Sequence, residues 1–348
     1  MRRNPKNERI KRQYLIFLKE AKHLAGGTLD GVARALELFE AHTRGQDFRQ
    51  FHIQQAIGFK AALANQLGRR TKTRLSESSR HTILLALKNL FQWLACQPGY
   101  KSRISYADAE YFSLSAKETR IAKAHREASV PTIEQIRHVI RSMPAATEIE
   151  RRNRALIAFT LLTGARVGAL ASIRLMHIDL IAGRVVQDAR EVKTKFSKTF
   201  TTYFFPIGED ILSIVAEWVR YLRNEKLLGH DDPLFPATRV GVGGDQQFEA
   251  QGLAQTGWSN GEPIRRIFRD AFRDAGLPYF NPHSFRRTLV MLGEQLCHTP
   301  EEFKAWSQNL GHDDVLTTFL SYGQVSSRRQ AEIIRALPCR PGAPETAS

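Results

Sequence analysis

Five short stretches in the second half of the chain carry side chains suited to one task. In order they are Arg166 in Thr163-Gly164-Ala165-Arg166, the lysines Lys193, Lys195 and Lys198, then His283 and Arg286 in Asn281-Pro282-His283-Ser284-Phe285-Arg286, His312 after Leu310-Gly311, and Tyr322 ten residues later. Breaking a phosphate ester without metal or nucleotide requires a nucleophile, several fixed cations around phosphorus and an acid for the departing oxygen. The phenol, the guanidinium and ammonium groups and the histidines supply all three. His283 and Arg286 stand three residues apart, so a helix there puts both on one face, within reach of one phosphate.

Taken singly, each piece has an ordinary reading. A Gly-x-Arg at a helix start is a cap beside a surface cation, His-x-x-Arg arises by chance, His312 caps a helix, and Tyr322 is a core tyrosine whose hydroxyl meets a carbonyl. Taken together, in this order and on these element types, they resemble the active-site pattern of the tyrosine recombinases, or integrases, over residues 132–325. The basic, helical first half is similar to that family's core-binding domain by layout.

The resemblance implies roles. Arg166 and Arg286 hold the non-bridging phosphate oxygens, for which a planar, permanently charged, two-pronged donor is suited. Tyr322 attacks phosphorus and becomes a 3′-phosphotyrosine, conserving bond energy for rejoining. A lysine protonates the 5′ oxygen, His283 serves as an acid or base near the tyrosine, and His312 donates to the phosphate. Three lysines compete for the acid's place. Lys195 is favoured because Lys-x-x-Lys before an extended strand ending in Pro-x-Gly resembles the family's turn; Lys193 is second, and Lys198 remains open. The family often has an acidic residue three positions after the first arginine, but here that position is Ala169, so something else must orient Arg166.

The implied activity is site-specific DNA recombination or integration on double-stranded sites by a homotetramer, with no cofactor and no metal. A type IB topoisomerase-like nicking and closing enzyme and a catalytically inactive DNA-binding regulator are the alternatives. A helix over residues 326–337, with Ile333, Ile334 and Leu337 on its apolar side, would dock onto a neighbouring subunit or pack locally.

Composition points the same way. Lys plus Arg number 51 against 35 Asp plus Glu, a net charge of +16, which calls for a polyanionic partner. Apolar runs such as Ala155–Leu162 fall short of the roughly 20 residues a membrane span needs, so nucleic acid is the expected partner and the location is expected to be intracellular, on the nucleoid. Cys96, Cys297 and Cys339 form no CxxC pair, no His spacing suggests a metal site, and no Walker sequence is present; Gly241 to Gly244 is expected to be a flexible loop.

The elements that must position these residues are expected to be mainly α, with a small antiparallel β-sheet (α+β) in the C-terminal catalytic domain and an all-α N-terminal domain. The expected divisions are a helical core-binding domain at 1–115, a basic linker at 116–131, a catalytic domain at 132–325, and a helix and tail at 326–348. Residues 1–80 hold 17 Lys and Arg against 7 Asp and Glu, with a knot at Arg69, Arg70, Lys72 and Arg74 suited to DNA phosphates. Met1–Arg12 is similarly basic and reads as an unstructured arm or, second, a nuclear targeting signal. A capping box at Thr132 and Gln135 opens the second domain's first helix. Strands are expected at Ile178–Ile181, Arg184–Val192 and Phe200–Pro206, with Lys193–Thr199 as a hairpin tip.

Overall fold

A computed structural model describes residues 4–68, 73–124, 129–242, 244 and 246–312. The chain divides into two compact units, Met1–Arg126 and Glu127–Ser348. Within them the fold is mainly α with small antiparallel sheets.

The first unit is built from α1 (Pro5–Ile16), α2 (Gly26–His42), α3 (Ile53–Asn65), α4 (Glu77–Leu94) and α5 (Ala116–Lys123), with a 3-10 turn at Tyr106–Phe112. In α4, Leu84, Leu87, Leu90, Phe91 and Leu94 recur at helical spacing and are all buried, against an aromatic cluster of Phe39, Phe51 and Phe112. The expected unstructured arm is a helix over much of its length. Asn4 caps α1 by accepting from the Lys6 amide, and buried Asn7 bonds both the Gln46 carbonyl and the Phe48 amide, so polar bonds as well as Ile10 and Tyr14 anchor it.

Part of the stretch expected to be a basic linker is also helical. Ser115 and Glu118 form a reciprocal cap that starts α5, and Glu118 pairs with Arg80 of α4 at 3.3 Å. Of the basic knot, Arg69, Arg70 and Lys72 lie outside the described residues. Arg74 is exposed, on a bridge to Leu67.

The second unit opens with α6 (Ile133–Ser142), α7 (Glu148–Thr163) and α8 (Val167–Ser172). The Thr132 and Gln135 box is present, each accepting from the other's backbone amide. A second box, Thr147 and Glu150, starts α7. From Ala155 to Thr163, α7 is buried on every side, as befits the central helix of a core. Around it stand α9 (Glu209–Arg220), α10 (Glu262–Asp274), α11 (Pro282–Leu296) and α12 (Pro300–Asn309), whose residues Val215, Phe268, Phe285 and Leu289 share that core with Leu310 just beyond α12.

Strands β1 (Ile178–Asp179), β2 (Arg184–Gln187) and β3 (Phe200–Tyr203) form an antiparallel sheet, with Gln187 opposite Phe200. The second strand is thus shorter than expected, and the connecting loop spans 188–199. Asp188 ends the strand, because its side chain accepts from the Arg190 amide and its carbonyl accepts from the Val192 amide, which turns the backbone.

Beyond the expected elements lies a hairpin of β4 (Thr238–Val242) and β5 (Phe248–Leu253). Gly241, expected in a flexible loop, is a strand residue opposite Glu249, with the end of the Gln251 side chain lying over it. Opposed Val240 and Ala250, and opposed Val242 and Phe248, place four apolar side chains on one face, all exposed. No helix among the described residues is long and apolar enough to cross a membrane.

Candidate active site

Three chain reversals in the second unit converge on Arg286. In the first, α7 ends at Gly164, whose φ of 61° is the left-handed conformation that glycine adopts without strain. Two residues later Arg166, extended at φ −75° and ψ 152°, is the N-cap of α8. In the second, Asn281 accepts from the amides of His283 and Ser284 at 2.9 and 3.2 Å, and Pro282 occupies the first helical turn, so His283 opens α11 with Arg286 one turn along. In the third, α12 ends at Leu310 and Gly311, the latter at φ 69°, and the His312 amide closes the turn onto the Ser307 carbonyl at 3.2 Å. Asn309 fixes that turn to β3 through two hydrogen bonds with Tyr203, at 2.7 and 2.9 Å.

The Arg286 guanidinium ties these pieces together. Only 4% exposed, it donates from Nη1 to the Gly164 carbonyl at 2.7 Å, and from Nη2 both to the Leu310 carbonyl and, at 3.0 Å, to His312 Nε2. A guanidinium only donates, so His312 Nε2 is the acceptor and the ring proton sits on Nδ1. The Arg286 Nε is buried without a hydrogen-bond partner among the described residues.

Positive charge accumulates here. Burial and the Arg166 cation push the Arg286 pKa down to about 9, and burial lowers that of Arg166 as well. His312 falls to about 4 through burial, then Arg286, Arg166, His283 and Lys198. His283 keeps exposed surface, yet burial against its neighbours lowers its pKa too, reinforced by Arg286, Arg166, Arg287 and Lys195. Both histidines are therefore neutral near pH 7. Among the described residues, Arg166 and Arg286 have no carboxylate at ion-pair distance.

Of the six catalytic residues expected from sequence, Arg166, Lys195, His283, Arg286 and His312 act on one another electrostatically, and Tyr322 lies outside the described residues. The lysines do not stand alike. Lys195 acts on His283 and Lys198 on His312, whereas the backbone of Lys193 is fixed to α8 through the Ser172 hydroxyl at 2.8 Å. Arg287 is a further cation that sequence reasoning passes over, though it adjoins Arg286 in the same motif. Ala169 is buried, and among the described residues no hydrogen bond or ion pair fixes the Arg166 guanidinium, whose backbone is set at the α8 cap.

Residues 130–329 match the phage integrase family. The chain belongs to the phage integrase family. Among curated members it is 24% identical over 330 residues to the tyrosine recombinase XerC of Halalkalibacterium halodurans, covering 92% of this chain and 94% of that protein. It is 25% identical over 265 residues to the XerD of Haemophilus influenzae, covering 76% and 77%. In fold it is similar to a lambda integrase(75-356) dimer bound to a COC′ core site, with a TM-score of 0.60 and 15% identity over 91% of this chain and 96% of that one. It is also similar to the XerH site-specific recombinase bound to a difH substrate, with a TM-score of 0.56 and 16% identity over 95% and 84%. For an integrase-family chain, the grouping of Arg166, Arg286 and His312 around one point gives the order of motifs along the chain a spatial basis.

Proposed function

We propose that this chain is a site-specific tyrosine recombinase that cleaves double-stranded DNA with Tyr322, holds the 3′ end as a phosphotyrosine, and rejoins it to a new 5′ hydroxyl. The observation that carries this reading is the pair of guanidinium groups, Arg166 and Arg286, brought together with no carboxylate at ion-pair distance among the described residues. Burying Arg286 against backbone carbonyls beside Arg166, with no carboxylate among the described residues, is unfavourable unless an anion completes the site, and a DNA phosphodiester is such an anion. Arg166 and Arg286 stabilise the charge that develops on the non-bridging oxygens, and a lysine of the 188–199 loop protonates the leaving 5′ oxygen. Neutral His312 donates from Nδ1, and neutral His283 accepts the tyrosine proton.

The relatives are named as recombinases, and solved neighbours include a lambda integrase tetramer bound to a Holliday junction, which supports a tetramer acting on paired sites inside the cell over a topoisomerase or an inert regulator. The helical domain over 1–115 grips the core site in this reading, with Arg69, Arg70, Lys72 and Arg74 on phosphates.

Covalent trapping tests the nucleophile. The parent protein, incubated with a nicked duplex library, should yield protein joined to DNA 3′ ends, whose mapping gives the site; Tyr322→Phe should yield none while binding the same duplex with the parent's affinity. An adduct that persists in Tyr322→Phe would assign the attack to another residue.

A further inference from the structure

We infer that His177 and Glu191 form a clamp that positions the lysine-bearing loop for proton transfer to the leaving oxygen. This rests on the recombinase reading above and concerns residues that no motif singles out.

A lysine ammonium rides on four flexible carbons, so its useful position depends on where the backbone beneath it is held. Loop 188–199 closes at its neck, where the Ala189 amide donates to Thr199 Oγ1 at 3.0 Å, and at its tip Lys193, Lys195 and Ser197 are exposed, with Ser197 at φ 51°. The limb leading into the tip is restrained. Val192 is buried at 1% exposure, and the Lys193 amide donates to Ser172 Oγ, which itself donates to the Gly168 carbonyl at 3.0 Å. Gly168 lies so close that a Cβ there would stand 2.9 Å from the Lys193 carbonyl oxygen.

Glu191 supplies a further hold. Its Oε2 lies 2.9 Å from Nε2 of His177, a residue only 3% exposed. His177 Nδ1 accepts from the Arg174 amide at 2.9 Å, so the ring proton is on Nε2 and points at the carboxylate. The histidine side is rigid, because the neighbouring Leu175 and Met176 amides donate to the Asp232 and His230 carbonyls at 3.0 Å each. The carboxylate side is an exposed loop two residues from Lys193. An exposed glutamate gains little from burial here, so its effect is geometric: it fixes the limb to the short turn after α8, the helix whose other end bears Arg166. Arg166 and the lysines thereby share one frame of reference.

Removing the demand for an acid tests the clamp. In the cleavage step the Tyr322 oxygen bonds to phosphorus, the bond from phosphorus to the 5′ oxygen breaks, and that oxygen takes the departing electron pair and a lysine proton. With sulfur in place of the bridging 5′ oxygen, the pair leaves on a thiolate, which needs no proton because thiols ionise near pH 8.5. The substrates are nicked duplexes of the mapped site, one with oxygen and one with sulfur at that position.

Glu191→Ala should cleave the oxygen duplex about 10-fold to 100-fold more slowly than the parent, the cost of displacing a catalytic group by about an ångström. It should match the parent on the sulfur duplex and bind both equally. Glu191→Gln, whose amide oxygen still accepts from Nε2, should stay near the parent on both. Parent-like cleavage of the oxygen duplex by Glu191→Ala, or an equal loss on both duplexes, overturns the clamp; so does a Glu191→Gln as slow as Glu191→Ala. Lys193→Ala, Lys195→Ala and Lys198→Ala, run alongside, separate the two failures. If sulfur rescues none of them, the lysine acid is wrong and the clamp falls with it; if it rescues one of them but not Glu191→Ala, only the clamp is wrong.

Discussion

At the scale of single residues, the cationic centre is legible in the sequence because its members are side chains with distinctive chemistry at distinctive spacings. What holds them is not. Arg286 is fixed by the carbonyls of Gly164 and Leu310, and a carbonyl is the same in every residue, so no sequence signal announces it. The lysine stays ambiguous for a similar reason: three lysines crowd residues 193–198, around a 3-10 turn at Lys195–Ser197 that no spacing in the sequence announces. One consequence of the crowding is measurable. The His312 pKa lies near 4 in the folded protein against 6.5 for a free ring, so the unfolded chain binds a proton in this window that the folded one refuses. Stability from this group is therefore complete above about pH 6.5 and is lost as pH falls toward 4. Urea unfolding at pH 7 and pH 5 should show the parent losing more stability on acidification than His312→Asn. Equal losses would mean that the ring is not held neutral by its cationic neighbours.

At the scale of elements, starts are more legible than ends. Thr132 with Gln135 marks a helix start directly, since the cap is made of side chains, and Asn281-Pro282 does the same for α11. The β4 and β5 hairpin is masked because glycines at 241 and 244 signal a loop more strongly than a single Val-Gly-Val signals a strand. α5 is hidden by its charge: a basic, weakly apolar stretch looks like a linker until Glu118 finds Arg80. The reversal at Gly164 is the element on which most depends. A Cβ there would stand 3.0 Å from Leu310 Cδ2 and 3.1 Å from Leu289 Cδ1, at a positive φ. Gly164→Ala should cost about 1–2 kcal/mol in chemical denaturation, the usual penalty for a left-handed alanine. It should also slow cleavage, since the carbonyl that receives Arg286 must shift; a variant as stable and active as the parent would show that this turn has slack.

At the scale of the whole molecule, composition points to the partner before any motif does, because a surplus of 16 positive charges has few other uses. The charge is concentrated in residues 1–80, and replacing Arg69, Arg70, Lys72 and Arg74 with Gln should weaken DNA binding and reduce the salt slope by about one for each phosphate left unneutralised. A slope identical to the parent's would turn that knot away from DNA. The exposed apolar face of Val240, Val242, Phe248 and Ala250 gives the molecule an opposite sensitivity. Added salt loosens the grip on phosphates, and a strongly hydrated salt such as sulfate also drives greasy surfaces together. A sulfate purification buffer concentrated enough to strip away bound nucleic acid is therefore also the one in which this hairpin most readily clumps the protein.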